Sequence, residues 1–184
     1  MNTSELSSFP ELHTTRFLLR EIAASDLPAI YAGLSNPLVI AHYGVRYDSL
    51  EATRLQMQWF ESIYADETGI WWGICDPANP SLLLGACGLN DLVRQHRRAE
   101  LGYWLFPMYW GKGIARECVS ALLAYAFASL ALLRIGAEVD LGNDRSCKLL
   151  EQLGFTFEGV RRAYEQKDEK SLDLKLYSRL ASDP

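Results

Sequence analysis

Histidine, paired cysteine and clustered positive charge are scarce in this chain. There are three histidines among 184 residues, none spaced to share a metal with another. The four cysteines, Cys75, Cys87, Cys118 and Cys147, show no C-x-x-C spacing. Neither a zinc site nor a redox pair is signalled, so no metal is expected, and the cysteines read as small buried hydrophobes. Eighteen basic residues face 23 acidic ones, for a net charge of −5 and a pI near 5.2. The one basic cluster, Arg94, Arg97 and Arg98, is too short to suggest a nucleic-acid partner. No stretch approaches the roughly 18 apolar residues of a membrane span, and the opening MNTSELSSFPELHTTR lacks the basic start and apolar run of a secretory leader. A cytoplasmic protein without a membrane partner is therefore expected. Linkers, repeats and low-complexity tracts are also lacking, so residues 1–184 are expected to form one domain.

Apolar residues make up 49% and charged residues 22%, a balance that supports a buried core. Period-two and helical spacings give the order of elements. A strand is predicted over 16–22. A helix capped by Ser25 follows and is stopped by Asn36-Pro37, and a second helix spans about 49–64. Strands are predicted at 70–75, 82–92 and 98–106, with connectors short enough to make them antiparallel neighbours. A mostly buried helix covers 114–130, then come a strand at 134–140 and a helix at 144–153 ended by Gly154. Strands at 155–164 and 172–180 close the chain as a hairpin. Trp71 and Trp72 sit at adjacent strand positions and must face opposite sides. His96, in a basic loop, reads as exposed rather than catalytic.

The stretch Tyr109-Trp110-Gly111-Lys112-Gly113-Ile114-Ala115-Arg116-Glu117 stands out. Two glycines flank a lysine just before a buried helix, where the first amides have no partner in the helix and the dipole favours an anion. The amides of Gly111, Lys112, Gly113, Ile114 and Ala115 could hold phosphate oxygens, with the side chains of Lys112 and Arg116 as further aids. The spacing is neither GxxxxGK[ST] nor GxGxxG, because Arg116 stands where the last glycine would be. A plain tight turn is the competing reading of the glycines.

The segment AELGYWLFPMYWGKGIA resembles motif A of the GNAT (Gcn5-related N-acetyltransferase) superfamily, a strand leading into Q/R-x-x-G-x-G/A and a helix. Trp110 occupies the usual Gln or Arg position. NDRSCKLLEQLGF, Asn143 to Phe155, resembles its motif B, and the closing GVRRAYEQKDEKSLDLKLYS resembles the terminal hairpin of its RimJ/RimL branch. The likeness extends from about Leu12 to Leu180. It implies a mixed α/β fold with a mostly antiparallel central sheet, splayed at the cofactor site and flanked by helices.

The resemblance further implies that acetyl-CoA donates its acetyl group directly to a primary amine, on a peptide N-terminus or a small molecule. Its pantetheine arm would lie along Gly102 to Leu105, contacting Tyr103, Trp104 and Leu105, with Asn143 on the other side. Glu100 lies ten residues before Trp110, where the family often carries a carboxylate, and is the candidate general base. The family's usual tyrosine, seven residues after the motif B asparagine, is here Leu150. Ser146 is the nearest hydroxyl: it either donates to the departing sulfur or caps the helix. A non-catalytic acetyl-CoA sensor is the alternative to an enzyme, and the sequence leaves the oligomeric state open, a dimer included.

Overall fold

The computed structural model describes residues 9–184. In chain order the elements are β1 (Leu12–His13), β2 (Leu18–Glu21), α1 (Leu27–Leu34), α2 (Pro37–Ile40), α3 (Leu50–Ala65), β3 (Ile70–Asp76), β4 (Asn79–Val93), β5 (Arg98–Leu105), α4 (Ile114–Ala128), β6 (Arg134–Asp140), α5 (Asp144–Gln152), β7 (Thr156–Lys167) and β8 (Lys170–Leu180). The strands form one eight-stranded sheet in the order β1-β2-β3-β4-β5-β6-β8-β7. Short connections join β1 to β2, β3 to β4, β4 to β5 and β7 to β8, and every neighbouring pair is antiparallel except β5 and β6. These two are joined through α4, and a crossover of that length returns the chain parallel.

Strand alternation divides the core between the two faces of the sheet. On one face Trp72, Ile74, Cys87, Ile135 and Ala137 meet Cys118, Val119, Leu122 and Leu150 of α4 and α5. On the other, Trp71, Ala86 and Trp104 meet Ile30 and Leu34 of α1 and Met57, Phe60 and Ile63 of α3. The two tryptophans of β3 thus face opposite sides, as alternation requires, and all four cysteines are buried and free. Only Arg116, Ser120, Ala124 and Ala128 are exposed along α4, a single stripe at i, i+4 spacing.

Three local expectations are corrected. Ser25 does not cap a helix: it lies in a 3-10 turn over Ala24–Asp26, ahead of α1. The anchoring side chain is Asp26, which accepts the Ala23 amide at 2.8 Å and both Arg20 guanidinium nitrogens at 2.7 and 2.9 Å. Asn36-Pro37 ends α1 but also begins α2, because Asn36 Oδ1 accepts the Leu38 amide at 3.0 Å and proline is at home in a first helical turn. The closing hairpin is longer than expected. It reverses at Asp168 and Glu169, both at positive φ (47° and 64°), the two-residue turn whose twist matches its strands.

The sheet is open at one place. Pairing between β5 and β6 covers only Arg98↔Arg134, Ala99↔Ile135 and Glu100↔Gly136. Beyond it β5 continues beside β4 to Leu105 and β6 beside β8 to Asp140. A bulge in β4 between Asn90 and Val93, with Asp91 at φ 50°, sits opposite the last of these pairs and adds local twist.

Candidate active site

A backbone cradle lies at one end of the opening. Gly111 and Gly113 have φ of 72° and 75°, and Gly113 is the N-cap of α4. Left-handed glycines alternating with Lys112, immediately ahead of a helix, turn successive amides into one concavity. A Cβ at Gly111 would meet nothing within 4 Å, and one at Gly113 would meet only the Arg16 guanidinium, at 3.5 Å. The glycines are therefore needed for their conformation and for a clear approach, not for packing against the protein. Trp110 closes the cradle onto the sheet: its indole Nε1 donates to the Leu105 carbonyl at 2.8 Å, and the Arg145 guanidinium lies 5.1 Å over its ring. Lys112 and Arg116 are exposed, with Lys112 Nζ 5.7 Å from the Tyr109 ring centre.

The register decides which backbone groups face the opening. The Phe106 amide donates to Leu84 O at 3.0 Å, so Trp104 opposite Ala86 and Gly102 opposite Gly88 also exchange their bonds with β4. Tyr103 and Leu105 therefore turn their amides and carbonyls toward the gap, as Leu101 turns its carbonyl, while the Leu101 amide is used in the last parallel pair, with Gly136. Trp104 does not belong with them. Its ring is buried among α1, α3 and Phe106, and its backbone is directed to β4.

Two hydroxyls meet on the α4/α5 face. The Tyr103 hydroxyl and Ser146 Oγ form a short hydrogen bond across the opening, from β5 to the first turn of α5. Burial pushes the Tyr103 phenol up to about 12, against the pull of the Ser146 hydrogen bond, so at neutral pH it keeps its proton. Asn143 is the N-cap of α5 and accepts the Ser146 amide at 3.2 Å. That contact occupies one side-chain oxygen and leaves its NH2 donors to other partners. Leu150 is wholly buried in the core.

Glu100 faces the other way. It shares a face with Gly102, Gly136, Glu138 and Asp140, and its carboxylate lies directly over Gly136, where the missing side chain makes room for it. Burial, and then the nearby Glu138 charge, raise its pKa above the ordinary carboxylate value, against the opposite pull of Arg134 and Arg98. Arg98 is the nearest cation, at 4.0 Å. Farther along the same face a cavity of about 150 Å³ is lined by residues including His42, Tyr43, Glu138, Asp140, Glu165 and Lys167.

The opening thus has an amide cradle at its end, hydroxyls on one face and a carboxylate of raised pKa on the other. Such a site can hold a phosphate-bearing donor, take a proton from an incoming nucleophile and return one to a leaving group. Sequence reasoning had named Glu100, Ser146 and Asn143 but missed the hydroxyl partnership of Tyr103. Only the alternation of β5, which puts Tyr103 opposite in sense to Glu100, could have hinted at it.

A family model described as an acetyltransferase (GNAT) domain matches residues 16–156. The Bacillus subtilis protein described as uncharacterized N-acetyltransferase YoaA is 39% identical over 171 residues, spanning 92% of this chain and 96% of its own length. A solved structure of spermidine N-acetyltransferase from Vibrio cholerae in complex with CoA and spermine superposes with a TM-score of 0.80 at 24% identity, covering 91% of this chain and 96% of that one. RimL, a ribosomal-protein α-N-acetyltransferase solved with coenzyme A, superposes at 0.83 with 21% identity, covering 93% and 98%. At these identities both structures speak to the fold.

Proposed function

This chain belongs to the GNAT acetyltransferase family and is an acetyl-CoA-dependent N-acetyltransferase; from that premise we propose that the whole chain, 1–184, acts as one cytoplasmic domain that acetylates the primary amine of a peptide N-terminus at the opening between β5 and β6. The observation that carries this reading is the placement of Glu100 and the Tyr103–Ser146 pair on opposite faces of one opening, with the Gly111–Gly113 cradle at its end.

When bound, acetyl-CoA supplies a thioester whose carbonyl carbon is open to attack by a neutral amine. The amides from Gly111 to Ala115 hold its pyrophosphate, with Lys112 and Arg116 beside them. The Leu101 carbonyl, Tyr103 and the Leu105 amide offer backbone partners to the arm from one side, and the Asn143 NH2 group offers them from the other. Glu100, directly or through a water, removes the proton an ammonium must lose before it can attack. Its raised pKa makes it a stronger base than an exposed carboxylate. On the opposite face Ser146 donates a proton to the departing sulfur, with the Tyr103 hydroxyl behind it as a second donor.

The charges around the cavity beyond Glu100 favour a singly charged acceptor. Of its three carboxylates, Glu138 is paired with Arg161 and Asp140 with His42 at 2.8 Å, while Lys167 lines the same wall. That wall is close to neutral, which suits the α-amine of a peptide better than a polyamine. The test is thiol release from acetyl-CoA in the presence of N-terminal peptides, spermidine and small monoamines. Turnover fastest with a peptide is expected. A preference for spermidine would overturn the acceptor assignment, and binding of CoA without turnover of any amine would favour a sensor.

A further inference from the structure

The amide cradle is held by residues far away in sequence. The Arg16 guanidinium donates from both terminal nitrogens to the Lys112 carbonyl at 3.3 Å. Its Nε donates to Glu117 Oε2 at 2.7 Å, and its backbone amide to Glu117 Oε1 at 2.8 Å. Thr14 Oγ1 adds a third bond to Glu117, at 2.7 Å. Burial works to raise the Glu117 pKa, but these hydrogen bonds from Thr14 and Arg16 hold it below the usual carboxylate value.

Resting on the phosphate-cradle reading above, we propose that Arg16 is a positioning residue for the pyrophosphate loop, anchored by Glu117 and Thr14. In a trans peptide the C=O and the following N–H point in opposite directions. Drawing the Lys112 carbonyl onto Arg16 therefore fixes the Gly113 amide to point away from Arg16. Gly111 and Gly113 allow the loop its left-handed geometry but, lacking Cβ atoms, do little to hold it there. The clamp supplies the missing rigidity. It also answers a puzzle of charge: Glu117 stands in the first turn of a helix whose N-terminus receives an anion, where its negative charge would oppose binding unless compensated. With Arg16 across it, Glu117 becomes the post to which the loop's brace is fastened.

The test compares CoA affinity, by calorimetry, with turnover of two donors: acetyl-CoA, and acetyl-pantetheine, which lacks the pyrophosphate. Arg16→Ala is expected to weaken CoA binding about 10- to 100-fold, the scale of a lost hydrogen bond to a charged group, and to leave kcat/KM for acetyl-pantetheine at the wild-type value. Arg16→Lys keeps the charge but cannot bridge carbonyl and carboxylate together, and should resemble Arg16→Ala. Glu117→Ala separates the alternatives by sign: it removes a negative charge near the phosphates yet is expected to weaken CoA binding, because Arg16 loses its anchor. Wild-type affinity in Arg16→Lys, or tighter binding in Glu117→Ala, would show that only net charge matters and overturn the clamp. Equal losses with both donors in Arg16→Ala would show general damage to the site and overturn it too. A wild-type protein that fails to bind CoA sinks the cradle itself, whereas wild-type binding matched by all three variants sinks the clamp alone.

Discussion

Replacing Gly136 by alanine probes the base without touching it. A Cβ built on Gly136 would stand 2.5 Å from Glu100 Oε1 and 2.6 Å from its Cδ. Carbon atoms prefer about 3.5 Å, so the carboxyl carbon has to retreat by roughly 0.9 Å. The retreat is cheap for the fold, because the obstruction is the end of a flexible, half-buried side chain. It is costly for proton removal, since a misplacement of about 1 Å can lower a rate about 10²-fold. Gly136→Ala is thus expected to lower kcat by about that factor, to leave CoA affinity within about twofold of wild type, and to shift the melting temperature little. The assay is initial-rate thiol release with saturating acetyl-CoA and the best peptide acceptor, beside calorimetry with CoA. Normal kcat in a variant that folds and binds CoA would mean that the position of the Glu100 carboxylate is irrelevant to the chemistry, and would refute its assignment as base.

Glu100→Gln should lower kcat by about 10² or more. Because only the ionised carboxylate accepts a proton, wild-type activity rises with pH through its raised pKa; that limb should vanish in the variant, and its persistence would point to another group. In Gly113→Val the branched side chain must leave φ 75° or block the cradle, so CoA binding measured by calorimetry should fall at least 10-fold. Ser146→Ala is expected to slow transfer from acetyl-CoA more than transfer from a thioester with an acidic aryl thiol, which leaves without help, and equal slowing would reduce Ser146 to a helix-start residue. Asp26→Ala strands Arg20, whose side chain is 15% exposed against 4% for Asp26. Loss of a buried partner costs about 3–5 kcal/mol, which urea unfolding should register.

What the sequence disclosed and what it hid have different physical origins. Gly111 and Gly113 were legible because a local backbone need writes itself into neighbouring residues. The antiparallel run from β3 to β5 was legible because short connectors leave few alternatives. Alternation along β5 places Glu100, Gly102 and Trp104 on one face, but does not say which helices cover it. Trp104 was therefore grouped with the donor's partners although its backbone bonds serve β4 and its ring fills the core. Ser25 and Asp26 are adjacent and both common caps, and the choice fell to Arg20, a tertiary partner. The Tyr103–Ser146 bond joins residues 43 apart and the Arg16–Glu117 clamp residues 101 apart. Neither leaves a local pattern, because each arises only when strands and helices have been brought together.

The narrow seam between β5 and β6 makes the protein an unfinished construction. Three residue pairs stitch β1–β5 to β6–β8, and past them two strands run on with edge amides and carbonyls facing a space that no strand among the described residues fills. Sheet edges of this kind pair with whatever extended, hydrogen-bonding chain is offered to them. In the proposed reading the pantetheine arm, an extended chain with two amides, is that missing piece. The donor is then an architectural member as well as a reagent, and each catalytic cycle builds and dismantles part of the sheet.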